Sequence, residues 1–378
     1  MKIPFNKPAL FNESYKEITS SLKSGHHSGR GPYTKKCQNW FKNKNSNISE
    51  AFLATSCTAA LEASAILLDL KDGDEVIVPS YTFVTTALSF FMHGATIRFC
   101  DIRPDTLNIN EKLLESHISK KTRAIVVVHY AGIACEMDEI MAIAKKYDLF
   151  VIEDNAHGLL GKYKGTNLGS IGNLATHSFH ETKNITCGEG GALFVRDKDF
   201  TERSEIIFEK GTNRSKFING QVDKYSWVDK GSSYILSDLL ASLLYAQLDN
   251  FIEIQNKRKT LWNIYYESLN DWSIEKNIQL PYVPHYCEQT YHMFYMILPD
   301  NKKRNDLIEH LKCNNITATF HYLPLDSSEM GVKIKQIDQH ECPVSKRVSD
   351  CIIRLPLYFD LSGKEQEKII QSVISFEL

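Results

Sequence analysis

The octapeptide Phe150-Val151-Ile152-Glu153-Asp154-Asn155-Ala156-His157 reads as a buried strand that ends abruptly in two carboxylates. Working outward from it, the apolar runs Ala124–His129, Thr96–Cys100, Glu75–Val78 and Ala51–Ala54 repeat the strand signal towards the N-terminus. Between them lie the helical patterns Ala59–Leu68, Phe83–Met92, Glu111–Ile118 and Met137–Tyr147. Strands that alternate with helices predict an α/β chain whose largely parallel sheet is covered on both faces. Ligands of such sheets bind at the carboxyl ends of the strands. Beyond about residue 195 the pattern loosens into helices rich in Lys, Glu and Asn, and the texture changes again at Trp262–Leu269. Short strands at Met293–Leu298 and Ala318–Tyr322, with helices at Arg304–Leu311 and Glu365–Phe376, suit a smaller α+β domain. The expected division is 1–250 and 251–378, closely packed, because no repeat or low-complexity linker separates the parts.

A length of 378 residues, 43% hydrophobic and 24% charged, is that of a globular protein of about two domains. The 44 basic and 46 acidic residues leave a net charge of -2, too little to gather nucleic acid or an acidic membrane, so any phosphate recognition is local. Polar residues follow Met1-Lys2-Ile3-Pro4-Phe5 at once, and no run is long enough to span a bilayer, which predicts a cytoplasmic protein. Nine cysteines, an odd number without Cys-x-x-Cys spacing, argue for reduced thiols and against a disulfide framework or zinc.

Three clusters carry chemistry. Thr55-Ser56-Cys57-Thr58-Ala59-Ala60-Leu61 lies where a strand ends and a helix begins, and the free N–H groups and hydroxyls there suit a phosphate, although by itself the pattern more often means simple capping. Asp154, at the mouth of its strand, can hold a protonated pyridine nitrogen or a metal, or cap the next helix. In Ser178-Phe179-His180-Glu181-Thr182-Lys183-Asn184-Ile185-Thr186-Cys187-Gly188-Glu189-Gly190-Gly191-Ala192, a lysine stands between an aromatic-flanked strand end and a glycine turn that permits close backbone approach.

Taken together, Ser-x-Thr-Ala-Ala-Leu, Glu-Asp-x-Ala-His and Ser-Phe-His-x-x-Lys-Asn with Gly-Glu-Gly-Gly resemble the DegT-type sugar-nucleotide aminotransferases, which have the aspartate-aminotransferase fold, fold type I among pyridoxal phosphate enzymes. The likeness runs through Pro79–Phe83 and Arg354–Leu357 and covers essentially the whole chain. It implies that Lys183 binds pyridoxal 5'-phosphate covalently and moves the substrate proton, while Asp154 pairs with the ring nitrogen. It further implies that Cys57, Thr58 and Ser178 hold the phosphate, Phe83 stacks on the ring and His157 lies near the phenolic oxygen. Burial beside a cationic ring would lower the pKa of Lys183.

Tyr81–Val84, His129–Gly132, Lys210–Ser215 and Gly220–Tyr225 look most like the subgroup that aminates position 4 of dTDP-4-keto-6-deoxyglucose for enterobacterial common antigen and O-antigen sugars. The resemblance then implies L-glutamate as donor, release of 2-oxoglutarate and a pyridoxamine 5'-phosphate form between the half-reactions. It also implies a homodimer with shared active sites. Arg214, Lys224 and Tyr322 are the expected substrate contacts, although the first two could lie in a solvated loop; Ser24–Pro32 suits wrapping a nucleotide or a plain turn cluster. Where many relatives read Asn-Tyr-Arg, this chain has Ser233-Tyr234-Ile235, so Ser233 would have to replace the partner-reaching Asn; Asp326 stands where a His often follows. Alternatives are a 3-amino sugar aminotransferase, a dehydratase of the same fold, in which histidine replaces the lysine, and a non-catalytic sensor. A nicotinamide dehydrogenase lacks its Gly-x-Gly-x-x-Gly. Whether the new amine is equatorial or axial depends on sugar pose.

Overall fold

A computed structural model describes residues 2–335 and 340–377. Its main sheet contains β1 (Glu50–Ala54), β2 (Glu75–Pro79), β3 (Thr96–Cys100), β4 (Thr122–Val128), β5 (Phe150–Asp154), β8 (Leu174–Ser178) and β9 (Gly191–Val195), in the order β1-β9-β8-β5-β4-β2-β3. The intervening hairpin strands β6 (Lys162–Tyr163) and β7 (Thr166–Asn167) pair with β10 (Cys287–Glu288) in a small separate sheet. All the pairings of the main sheet are parallel except those of β9, which runs antiparallel to both β1 and β8.

Alternation within the strands explains the two-sided burial. Val76, Val78, Ala124, Val126 and Ile152 point to one core, with the apolar face of helix Cys57–Leu67. Their neighbours Ile77, Ile125, Val127 and Val151 point to the other, where Met137, Ile140 and Ala144 of helix Met137–Tyr147 meet them. A period of two with both phases apolar is what a sheet between two helical layers requires. Below β1, β8 and β9, a third core joins Phe41 of helix Pro32–Lys44 to Leu244 and Leu248 of helix Asp238–Asp249.

A fourth core lies in the C-terminal part, around the antiparallel pair β11 (Phe294–Ile297) and β12 (Ile352–Leu355). Helix Asn301–Cys313, helix Gly363–Ile374 and most of helix Phe251–Glu275 cover it. The last of these bridges two cores: Phe251 and Ile254 pack with the sheet domain, while Leu261, Trp262, Tyr265 and Leu269 pack with β11 and β12. Trp262–Leu269 is therefore the middle of a long helix and not the start of a new texture.

Other sequence readings are corrected too. Ala318–Tyr322 forms no strand; Thr319 alone makes an isolated bridge, to Arg354. The Phe320 carbonyl is taken instead by the Arg354 guanidinium, from which it accepts at 3.0 Å and 3.2 Å. Glu111–Ile118 is a single 3-10 turn followed by Leu114–His117, and the helix expected from Phe83 begins at Thr85.

Candidate active site

Because the strands around β5 run parallel, their carboxyl ends face one side of the molecule, and the loops there surround a cavity of about 640 Å³. Ser56 caps helix Cys57–Leu67 by accepting from the Ala59 N–H at 3.0 Å. That leaves the N–H groups of Cys57 and Thr58 without helical acceptors, and both residues line the cavity. The antiparallel strand β9 brings its beginning, not its end, to the same place. A Cβ on Gly191 would run into the Ser56–Cys57 backbone, so the cradle is closed by a residue that must lack a side chain.

The two carboxylates of β5 part company because successive side chains face opposite ways. Glu153 turns inward to His129 at 2.9 Å and to the backbone N–H groups of Gly169, Ile171 and Gly172. Asp154 turns to the cavity, where it accepts from the Thr86 hydroxyl at 2.8 Å and the Ala156 N–H at 3.3 Å. Burial holds its carboxyl above the usual carboxylate range. Among the described residues no cationic side chain pairs with it.

Lys183 sits half-buried in the turn after β8, and burial lowers its pKa to about 8 while the charges of Cys57 and Asp154 pull the other way. Phe83 lines the cavity with 54% of its surface free, its ring 6.2 Å from that of Tyr322. His157 accepts from the Ala131 N–H at Nδ1, which leaves Nε2 to face the Tyr322 hydroxyl at 3.3 Å. The His157 ring stacks on His292 at 4.3 Å, and His321 meets the Tyr130 hydroxyl at 2.6 Å. Burial depresses the pKa of all three histidines well below the ordinary value, so they are neutral rings.

Of the residues expected from sequence, Lys183, Asp154, Cys57, Thr58, Phe83, His157, Ser178 and Tyr322 come together around this cavity. Ser233, Arg214 and Lys224 do not line it. Ser233 and Lys224 are exposed, and Arg214 reaches Glu209 at 3.8 Å. The segment 24–32 also stays outside the cavity wall. Sequence reasoning assigned no role to Thr86, Arg258, His292, Arg354, Phe5 or Asn6. Arg354 lies inside the Arg354–Leu357 stretch of the family likeness, whereas Arg258 and Phe5 offer no local signal.

The cavity fits pyridoxal phosphate. A buried acid without a cation, a bare aromatic wall, an open helix N-terminus and an amine of lowered pKa are what the ring nitrogen, ring face, phosphate and aldehyde need. The comparisons agree: residues 8–374 match the DegT/DnrJ/EryC1/StrS aminotransferase family. The chain belongs to that family.

MJ1066 of Methanocaldococcus jannaschii is 32% identical over 377 residues, covering 98% of this chain and 96% of its own. The spore coat polysaccharide biosynthesis protein SpsC of Bacillus subtilis is 30% identical over 380 residues, with 98% and 96% covered. Among solved structures, Spr1654 of Streptococcus pneumoniae, assigned as a sugar aminotransferase, superposes in its pyridoxamine phosphate form with a TM-score of 0.91 at 27% identity, covering 99% of this chain and 97% of that one. Its pyridoxal phosphate form gives 0.90. This member of the DegT/DnrJ/EryC1/StrS family is thus a sugar aminotransferase with the aspartate-aminotransferase fold, dependent on pyridoxal phosphate and working between an amino donor and a keto sugar.

Proposed function

We propose that the chain transfers the amino group of L-glutamate to carbon 4 of dTDP-4-keto-6-deoxyglucose, releasing 2-oxoglutarate and a dTDP-4-amino-4,6-dideoxyhexose for surface polysaccharide. The observation that carries the aminotransferase chemistry is the convergence of Lys183, Asp154 and Phe83 on one cavity. Support for the sugar comes from the likeness of Lys210–Ser215 and Gly220–Tyr225 to the 4-aminating subgroup, and from a relative that serves polysaccharide synthesis.

Within that reading, Cys57, Thr58 and Ser178 hold the cofactor phosphate, and Phe83 covers the ring. Bound pyridoxal phosphate supplies an electron sink for the carbon that loses its proton. Asp154 keeps the pyridine nitrogen protonated, since a buried carboxylate without a cation gains most from one. Lys183, once released, removes the proton from the donor α-carbon and returns one to sugar C4. His157 and Tyr322 stay neutral and offer hydrogen bonds without competing for that proton.

The same reading makes the enzyme a cytoplasmic homodimer in which Ser233, Arg214 and Lys224 serve the partner's cavity. Their position outside the cavity of their own chain is compatible with this, as is the exposure of Trp227 nearby, at 82%. It also takes 1–250 as the cofactor-binding domain and 251–378 as the small one, supported by the separate core around β11 and β12.

Incubation with pyridoxal phosphate, glutamate and dTDP-4-keto-6-deoxyglucose, followed by NMR of the nucleotide product, tests the proposal. The expected product carries nitrogen at C4, and its coupling constants report gluco or galacto configuration. Nitrogen at C3, or no amino sugar, removes the substrate assignment.

A further inference from the structure

Glu153, the other carboxylate of β5, and His129, just beyond β4, are wholly buried and line no part of the cavity. Both Glu153 oxygens are filled by donors. Oε2 accepts from His129 Nε2 at 2.9 Å and from the Gly169 N–H at 2.8 Å, and Oε1 from the Ile171 and Gly172 N–H groups at 2.8 Å and 2.7 Å. Burial alone would push this carboxyl up, but the His129 and backbone donors outweigh it and hold it below its ordinary range. A buried acceptor so fully satisfied is an anchor of fixed polarity.

That polarity passes outward through His129. Its Nδ1 accepts from the Cys135 N–H at 3.2 Å, so the ring carries its proton on Nε2 and gives it to Glu153. The side chain thereby ties both ends of the turn 129–135, inside which Ala131 takes the left-handed conformation at φ 56°. A residue other than glycine stays there only where its surroundings over-determine it. Here Asn108 holds the Tyr130 N–H at 2.9 Å, and a Cβ on Gly132 would strike Thr290 and the His157 carbonyl. The conformation aims the Ala131 N–H at Nδ1 of His157, at 3.3 Å. A backbone N–H can only donate, so Nδ1 must accept, and the His157 proton belongs on Nε2, which faces Tyr322.

We propose that Glu153 and His129 are positioning residues of the cofactor site: by holding the turn 129–135 they fix His157 as the Nε2–H tautomer, a neutral donor towards the cavity. This rests on the reading that His157 stands beside the phenolic oxygen of pyridoxal phosphate, an acceptor that such a donor serves. Glutamine cannot take the place of Glu153. Its one carbonyl oxygen can serve Ile171 and Gly172, but its amide N–H groups then confront the Gly169 N–H and His129. His129 could answer only by moving its proton to Nδ1, against the Cys135 N–H. Either way donors face each other, and the turn has to shift.

The test records long-range proton–nitrogen NMR spectra of the holoenzyme with isotope-labelled histidine, the His157 signals being assigned by their loss in His157→Gln. Wild type should show His157 protonated on Nε2 alone. In Glu153→Gln the form protonated on Nδ1 should appear, and pyridoxal phosphate should leave on dialysis roughly tenfold faster, the scale of one hydrogen bond to a charged group. His129→Phe should do the same, whereas His129→Gln, which keeps a neutral donor for Glu153, should restore both wild-type readings. A tautomer unmoved by both Glu153→Gln and His129→Phe overturns the proposal, and so do equal losses in His129→Phe and His129→Gln, which would mark a purely structural role. Because the variants could misfold, the wild-type spectrum is a test by itself: His157 protonated on Nδ1 there overturns the proposal without any substitution. If the tautomer moves while the cofactor is retained as before, the pair still sets His157, and it is the reading of His157 beside the phenolic oxygen that falls.

Discussion

Lys183 and Asp154 face one cavity without bonding to each other, and burial shifts each pKa in the direction that disfavours the charged form. Since the folded pKa of Lys183 is lowered to about 8, its free amine dominates above that pH. Covalent capture of pyridoxal phosphate by the cofactor-free protein should therefore accelerate with pH and level off above about 8, as stopped-flow absorbance will show. No inflection is expected between pH 6 and 7, because His157, His292 and His321 remain neutral there. Lys183→Ala should lose the borohydride-fixable link to the chain altogether. Asp154→Asn should keep the link yet lose roughly 10²–10³ in kcat/KM, the scale of removing one aligned charge from a reacting centre. These two residues were legible in the sequence because each sits in a short motif. Thr86, which orients Asp154 at 2.8 Å, was not, since its link to the acid spans 68 positions.

At the scale of elements, the strand ends do the positioning. Ser56→Ala removes the cap of helix Cys57–Leu67 and should cost about 1 kcal/mol of stability, measurable by urea unfolding. Gly191→Ala forces a methyl group against the Ser56–Cys57 backbone, so the turn at the start of helix Cys57–Leu67 must open. Its expected signature is weaker retention of pyridoxal phosphate on dialysis, with Gly363→Ala, which meets nothing within 4 Å, as the neutral control. The parallel strands β2, β4 and β5 were legible from runs of Val and Ile, because a strand buried on both faces leaves an unbroken apolar stretch. β12 and the failure of Ala318–Tyr322 to become a strand were not. The second goes with Arg354, which reaches across to the Phe320 carbonyl and spends that acceptor on a side chain.

For the whole molecule, several large apolar side chains are exposed. Val84, Leu88 and Met92 are open on or beside helix Thr85–Phe91, and Trp227 stands almost bare. A homodimer should cover them, so sedimentation is expected to give twice the chain mass, and Met92→Glu should shift the population towards monomer and lower activity with it. The amino-acid sequence by itself determined the layered α/β plan and marked out Lys183, Asp154 and the turn at Thr55–Leu61, because these arise from local periodicity and contiguous motifs. Only the tertiary structure decided that Glu153 turns away while Asp154 faces the cavity, that β9 delivers Gly191 to the Ser56–Cys57 turn, and that Arg258 and Arg354 share one cavity. The physical reason is that burial and charge pairing act through space, between side chains that the chain order keeps far apart.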